Sequence, residues 1–555
     1  MSRALTPRTQ LETLRKDAKR WLKALRLGDP KAASRLAAAW PGAPAEPVLR
    51  DLQHALALEY GQTGWIQLKA ALDDLDLARK SQAEQAERIL AHGWDGDPAA
   101  AARLLRRHPE LSRFSLFTAA ACGDLAEVER RLASDPLAAT RTGGPRGWTA
   151  LAHVAYGRLD GVNALEIARR LLAAGADPNF EFNDGWDSPF KIVTGAIGLG
   201  EGAKSSHPQA LQLVDLLIQA GANAYDSQAL YDISIVGSDT YWYDVLWTRS
   251  QAQGVLDQWR VPAQNRLGGA RGVSSLDYLL GNAVGQNHLE RAEWLLERGA
   301  HADAPHFYTR QPVHALAQLS GFHEMAALLE RHGAPRAVLS GVKALQAACM
   351  RGDEQGARAL ATADPALAKD PAPLLSAAEL GNARAVAILL ALGAPATASG
   401  QDGVTPLHRA VQSGSLEAVQ RLVAAGADVD LRERRWRGTA LSWAVTLNQP
   451  DAAAWLAPLS HDVRALTHMG DAARLQAVLN ERPELANQAL AFDDGPTPLF
   501  CLPDDERVAL KMAPVLLTHG ADPSVSNAKG LTPVDRARDL DHEDVATLME
   551  TWHAR

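Results

Sequence analysis

Five histidines lie close together in the chain, His301, His306, His314, His323 and His332, and imidazoles bind metals and carry protons near neutral pH. The stretch HEMAALLERH opens at His323 like a zinc-protease helix. No second histidine falls one helical turn on, where two rings share a face and hold an ion. A Walker loop, a G-x-G-x-x-G after a strand and a C-x-x-C pair are also missing from the sequence. Spacing reveals no nucleophile beside a base, although such groups are assembled by geometry rather than chain order. No catalytic residue, metal ligand or cofactor is therefore expected. A second concentration is aromatic and acidic. Trp186, Tyr231, Tyr241, Trp242, Tyr243, Trp247 and Trp259 gather in a chain otherwise poor in aromatics, with Asp184, Asp187, Asp232, Asp239 and Asp244 among them. Tyr and Trp bring large contact area with a polar tip, and they are favoured at recognition surfaces. This region reads either as a partner-binding patch suited to a cationic ligand or as an irregular core. The expected contact residues are Asp184, Trp186, Tyr231, Asp232, Tyr241, Trp242, Tyr243 and Trp247.

The elements that must position these groups are short helices. In Asp402–Asp430, DGVTPLHRAVQSGSLEAVQRLVAAGADVD, Thr405 can cap a helix and Pro406 suits its first position. Leu407, Ala410 and Val411 recur at helical spacing, and Gly414 ends that helix. A second helix carries Leu416, Val419, Leu422 and Val423 to a stop at Gly426. Two short helices cannot bury their own apolar faces and need stacked neighbours. This unit resembles an ankyrin repeat, with its T-P-L-H-x-A opening and Gly-Ala-Asp close, and Gly393 and Gly426 stand 33 positions apart, the family's repeat length. Further closing turns stand at Gly175, Gly221, Gly299, Gly333, Gly393 and Gly520, with openings at Thr149, Ser188, Pro312, Thr439, Thr497 and Thr532. His314 and His408 occupy the slot whose ring bonds neighbouring backbone. The resemblance implies an all-α ankyrin-repeat solenoid of roughly twelve helix pairs.

A second phrase, Gly-Asp, a helix, then a proline, recurs at Gly96, Gly123, Gly352 and Gly470. It predicts a cap for a second helix and a proline that ends it. The closing glycines lose step between Gly175 and Gly221, and again between Gly221 and Gly299, where departures from a repeat point to function. Ahead of the array, Leu11 to Leu27 is an amphipathic helix bearing Arg15, Lys16, Lys19, Arg20, Lys23 and Arg26. Its charges read as a solvated face or as a dock for an acidic partner or nucleic acid. Three more helices follow it, resembling the helical segment that precedes bacterial ankyrin arrays. Asp541, His542, Glu543 and Asp544 read as a capping turn at the far end.

The organisation expected is a helical N-terminal module at 1–80, a first array at 81–340 with an insert at about 184–274, and a second array at 341–555. A net charge of −8 argues against a dedicated nucleic-acid binder. Three cysteines make no disulfide framework, and Cys122 and Cys349 fall at small packing positions. With no apolar leader and no apolar run of about 20 residues, the expected location is the cytoplasm, away from the membrane. The resemblance implies a scaffold that holds another protein in a groove, at its hairpin tips and on the aromatic insert. The rival reading is an enzyme or small-ligand receptor with its pocket at 183–259.

Overall fold

The computed structural model describes the chain apart from residues 1–2, 7–8, 78, 96, 160–161, 186–188, 201–204, 263–266, 268–271, 490–495 and 553–555, together with the side chains of 76 and 95. Among the described residues it is all-α, relieved by two antiparallel pairs of two-residue strands, Thr142–Gly143 with Trp148–Thr149 and Glu181–Phe182 with Phe190–Lys191. No described helix is long and apolar enough to cross a membrane. By contacts the chain forms two units. One comprises Met1–Leu72, Leu319–Gly321 and Leu339–Arg555, the other Asp73–Gln318 and Phe322–Val338.

The larger-numbered repeats show how local chemistry sets each pair. Thr405, Thr439 and Thr532 each accept a backbone N–H three residues on, from His408, Ser442 and Asp535. A threonine at this place thus satisfies one of the amides that a helix start leaves without a partner. The glycine after each second helix is left-handed, with φ of 88° at Gly426 and 84° at Gly520, a conformation that costs any side chain. The other dialect uses aspartate. Asp97, Asp124, Asp353 and Asp471 accept the third amide of the helices that follow. The proline that ends three of these helices starts a 3-10 turn at Pro109–Arg113, Pro136–Thr140 and Pro483–Asn487, which buries Leu111, Ala139 and Ala486. Gly96 itself lies outside the described residues.

In the unit holding the C-terminal repeats, Leu374, Leu407, Leu422, Leu441, Leu466, Leu475 and Leu516 run through one continuous core with no accessible surface. The N-terminal helices belong to this same unit. Leu11–Arg26 packs on Leu49–Glu59 and Pro30–Ala39, with Leu14, Trp21 and Leu22 inward. Arg35 lies 3.6 Å over the Trp21 ring and forks onto Glu59 at 2.7 and 2.8 Å. The outward basic face meets the acidic turn at the other end of the sequence. Arg15 pairs with Asp541 at 2.9 Å, Lys19 with Glu543 at 2.6 Å, and Arg26 with Asp544. The acidic partner of this helix is thus the chain's own last helix pair, and the turn at Asp541 does more than cap. Exposed pairs of this kind each contribute about 0–1 kcal/mol and weaken with salt.

In the other unit the core runs from Leu116 to Ala334. The stretch between Gly221 and Gly299, expected to hold an irregular insert, contains an additional helix pair. Asp226 caps Ser227–Ser234, Tyr241–Gln253 is its second helix, and Gly254 closes it at φ 73°. The Gly-Ala-Asp signature is absent there, so the repeat is hidden in the sequence. The excess between Gly175 and Gly221 lies between the helices Ile192–Ile197 and Ala210–Gln219.

Beneath the basic clasp, Glu506 is 1% exposed and its Oε1 accepts the Asp544 amide at 3.2 Å. Burial, with the Asp544 charge second, pushes its carboxyl up to about 7. A folded-state value above the free one means that its stabilisation is complete below about pH 4.5 and is lost as pH rises through about 7. Glu506→Gln should therefore gain on the natural chain by on the order of 2–3 kcal/mol between pH 5 and pH 8, read by urea unfolding.

Candidate functional site

The aromatic group divides in two once its helix is placed. Tyr243 is 1% exposed and sits 5.5 Å from the Trp294 ring, with the Arg291 guanidinium 5.2 Å over it. Burial raises its phenol above the ordinary value. Trp247 packs edge-on to Trp259 at 5.3 Å and to Trp294 at 5.7 Å, and Trp259 has no accessible surface. These rings fill the core of the hidden repeat. Tyr241 is half exposed on the same helix, while its T-shaped neighbour Trp242 is half-buried against the core. Asp184 is exposed 3.5 Å from Arg146. Tyr231 is half-buried against the core, and Asp232 is buried with Gln228 donating to it at 3.0 Å. Trp186 and Asp187 lie outside the described residues.

The carboxylate nearest to enzyme-like burial here is Asp226. Its Oδ1 accepts the Gln228 and Ala229 amides and its Oδ2 the Thr194 amide and hydroxyl, at 2.8 to 3.2 Å. The two to Gln228 and Ala229 cap the helix that follows, and the two from Thr194 tie that cap to the helix Ile192–Ile197. The histidines behave likewise. His408 Nδ1 lies 2.7 Å from Thr405 Oγ1, and its Nε2 donates to the Gly438 carbonyl at 3.1 Å, joining one repeat to the next. His314 Nδ1 accepts the Ala337 amide at 3.1 Å. His301 is exposed beside Asp277, while His306 is half-buried over Gly281, less open than its tip position suggests. Among the described residues no cluster of metal-ligating side chains occurs. Burial pushes the Cys122 and Cys349 thiols up to about 12, as suits packing residues.

A different surface has the makings of a site. A cleft of about 900 Å³ lies across four successive helix pairs. Gln412, Trp443 and Thr446, Arg464 and His468, and Phe500 and Cys501 reach it from the first helices, and Arg432, Trp436 and Arg437 from the loop before Thr439. That loop reads Leu431-Arg-Glu-Arg-Arg-Trp-Arg437. Its frame is Glu433, which has no accessible surface and accepts amides from Arg435, Trp436 and Gly438 at 2.6 to 2.9 Å. Glu433 N–H returns a bond to the Gly438 carbonyl at 3.1 Å, and the Arg434 amide reaches Asp402 of the preceding repeat at 2.6 Å. A Cβ on Gly438 would stand 2.8 Å from Trp443, so only glycine lets the loop lie on that ring. With its glutamate turned inward, the loop turns Arg434, Arg435, Trp436 and Arg437 out. Trp436 is 48% exposed and meets Trp443 edge-on at 5.9 Å. The sequence signal was present, four arginines and a tryptophan at a hairpin tip, but the larger aromatic group at Tyr241 overshadowed it.

Residues 374–467 match a family model described as ankyrin repeats, in three copies. The chain thus carries ankyrin repeats at these residues. The matched repeats hold most of the cleft. Over 194 residues the chain is 26% identical to the ankyrin repeat protein YahD of Escherichia coli (strain K12), covering 32% of this chain and 94% of that one. Among solved structures it is similar to a chain from the complex of the predatory endopeptidase Bd0816 of Bdellovibrio bacteriovorus with immunity protein Bd3460, at 25% identity and a TM-score of 0.25, covering 32% of this chain and 96% of the other. It is similar also to the ankyrin repeat domain of Bcl-3, of the IkappaB protein family, at 20% identity and a TM-score of 0.27, covering 37% and 97%.

The two halves of the aromatic group should separate on mutation. Tyr243→Ala should cost roughly 3–5 kcal/mol in chemical unfolding, the range for a buried aromatic cut to alanine. Tyr241→Ala should cost under about 0.5 kcal/mol, as surface changes do.

Proposed function

We propose that this ankyrin-repeat protein is an interaction scaffold, which holds a protein partner against the first-helix face and loop tips of 402–501 and makes or breaks no bond in it. The cleft across four helix pairs carries the reading. It is lined by exposed tryptophan and arginine, two of the residue types that dominate binding energy at protein interfaces. Stacked repeats offer such surfaces because each pair contributes one first helix and one loop tip, and each can vary without disturbing its neighbours. In the other unit the exposed ring of Tyr241 and the half-buried Trp242, together with Asp184, form further contacts in this reading. Tyr243 and Trp247 anchor that helix to the core, and Tyr231 and Asp232 lie on the preceding helix, half-buried and buried.

A photo-crosslinking amino acid at Thr446, exposed in the cleft, should yield a discrete adduct with one protein in extract of the source organism. The same group at Glu417, exposed on a second helix, should not. Equal adducts from both positions, or none from Thr446, would remove the first-helix face as the contact surface.

A further inference from the structure

We infer that the cleft between Trp436 and Cys501 takes an acidic segment of its protein partner, with an apolar side chain seated among the cleft's rings. The inference rests on the scaffold reading above and adds the chemistry of what is held. Charge carries it. The carboxylate in the lining, Asp462, is 1% exposed and already engaged: its Oδ1 accepts the Arg464 and Ala465 amides, its Oδ2 the Thr439 hydroxyl at 2.7 Å, and Arg432 pairs with it at 3.3 Å. That charge is therefore spent inside the wall. Among the described residues Arg434, Arg435, Arg437 and Arg464 have no carboxylate partner. Arg435 lies 4.8 Å over the Trp436 ring, and Arg464 donates to the Cys501 sulfur at 3.3 Å. Burial raises the Cys501 thiol, so the group that Arg464 meets is neutral. Four guanidiniums thus stand unneutralised in and around one cleft, on a chain whose net charge is −8.

The geometry favours carboxylates over isolated anions. Guanidinium forks match planar carboxylates with two parallel bonds, and these forks are spread over a loop and a helix from a different pair rather than gathered on one point. Between them lie Trp436, Trp443, Phe500, Val445 and Leu447, a mostly apolar floor in need of an apolar anchor. Nucleic acid would use the cations and a stacking ring, but the aliphatic floor suits a side chain better than a base. The loop's backbone is held independently of its arginines, since Glu433 takes the amides. The heads of Arg434, Arg435 and Arg437 are left without carboxylates to meet a ligand.

The test uses the full chain and three rhodamine-labelled probes read by anisotropy. They are an octapeptide of alternating glutamate and leucine, the same peptide with lysine for glutamate, and a single-stranded oligothymidylate. The glutamate peptide should bind roughly tenfold tighter than the lysine peptide and tighter than the oligonucleotide, and should weaken as salt rises. The paired change Arg434→Glu and Arg437→Glu, both on the exposed loop, should lower its affinity roughly tenfold. Trp436→Ala should weaken it several-fold without changing the salt slope. Circular dichroism of each variant verifies folding, and Arg434→Glu alone, which leaves the cleft lining intact, provides a milder step on the same scale. Equal binding of the two peptides, tighter binding of the oligonucleotide, or indifference to the arginine changes would overturn the acidic-segment inference. A Thr446 adduct seen alongside any of those results would leave the scaffold reading standing, whereas loss of the adduct would remove that reading itself.

Discussion

A helix pair of some twenty residues has nowhere within itself to put its apolar face, and everything else in this protein follows from that shortage. Leu407 and Ala410 on one helix and Val419 and Leu422 on the next have no accessible surface, yet two helices alone cannot enclose them. Burial is completed only by the neighbouring pair, which presents the same problem one step further along. Alanine at Ala377, Ala410, Ala444 and Ala453 keeps the helices close enough for this. The pair Pro533–Asp539 and Glu543–Thr551 has a different neighbour. In the unit that contains it, Leu11–Arg26 supplies the matching charges to Asp541, Glu543 and Asp544. The basic helix is thereby drawn to its own chain, and it is not free to serve as an open cationic surface along its whole length.

Stacking also leaves backbone groups at each seam, and polar side chains close them. His408 bonds Gly438, Asn382 donates to the Met350 carbonyl, Asn163 to that of Gly123, and Asn487 to that of Gly520. Each bond runs from one pair to its neighbour. His408 and Asn382 close part-buried seams, where a carbonyl without a donor costs on the order of 1–3 kcal/mol, and Asn163 and Asn487 close exposed ones. The same accounting covers Asp226, which in a sequence resembles an isolated acid and in the fold is a cap with both oxygens filled.

The cleft at 402–501 comes from one inversion of the usual rule for charged residues. Glu433 is buried and the arginines around it are not. A buried carboxylate is tolerable only when donors surround it, and the tight turn to Gly438 provides three amides. What a glutamate does inside, as an acceptor at the loop's centre, sets free outside the cations and the ring that give this surface its character. A recognition surface can vary here at little risk to the core, because the loop's frame and its contact residues are different side chains.

Local chemistry made the repeats readable. Thr-Pro, the closing glycines and the Gly-Asp caps act through bonds only a few residues long, so they mark helix starts and stops wherever the chain lies, and with apolar spacing they determine an all-α array and the packing role of His314 and His408. The hidden pair at 227–253 escaped because it ends on Gly254 without the usual signature, and its rings looked like a surface because composition cannot say which side of a helix is covered. Tyr241 and Tyr243 are two residues apart, yet one is half exposed and the other buried; helical rotation and the neighbouring Trp294 decide between them. Only the tertiary structure could bring Arg15 to Asp541 across the length of the chain, or set Trp436, Arg464 and Cys501 around one space, because those meetings depend on how pairs stack and not on any bond that neighbours in sequence can form.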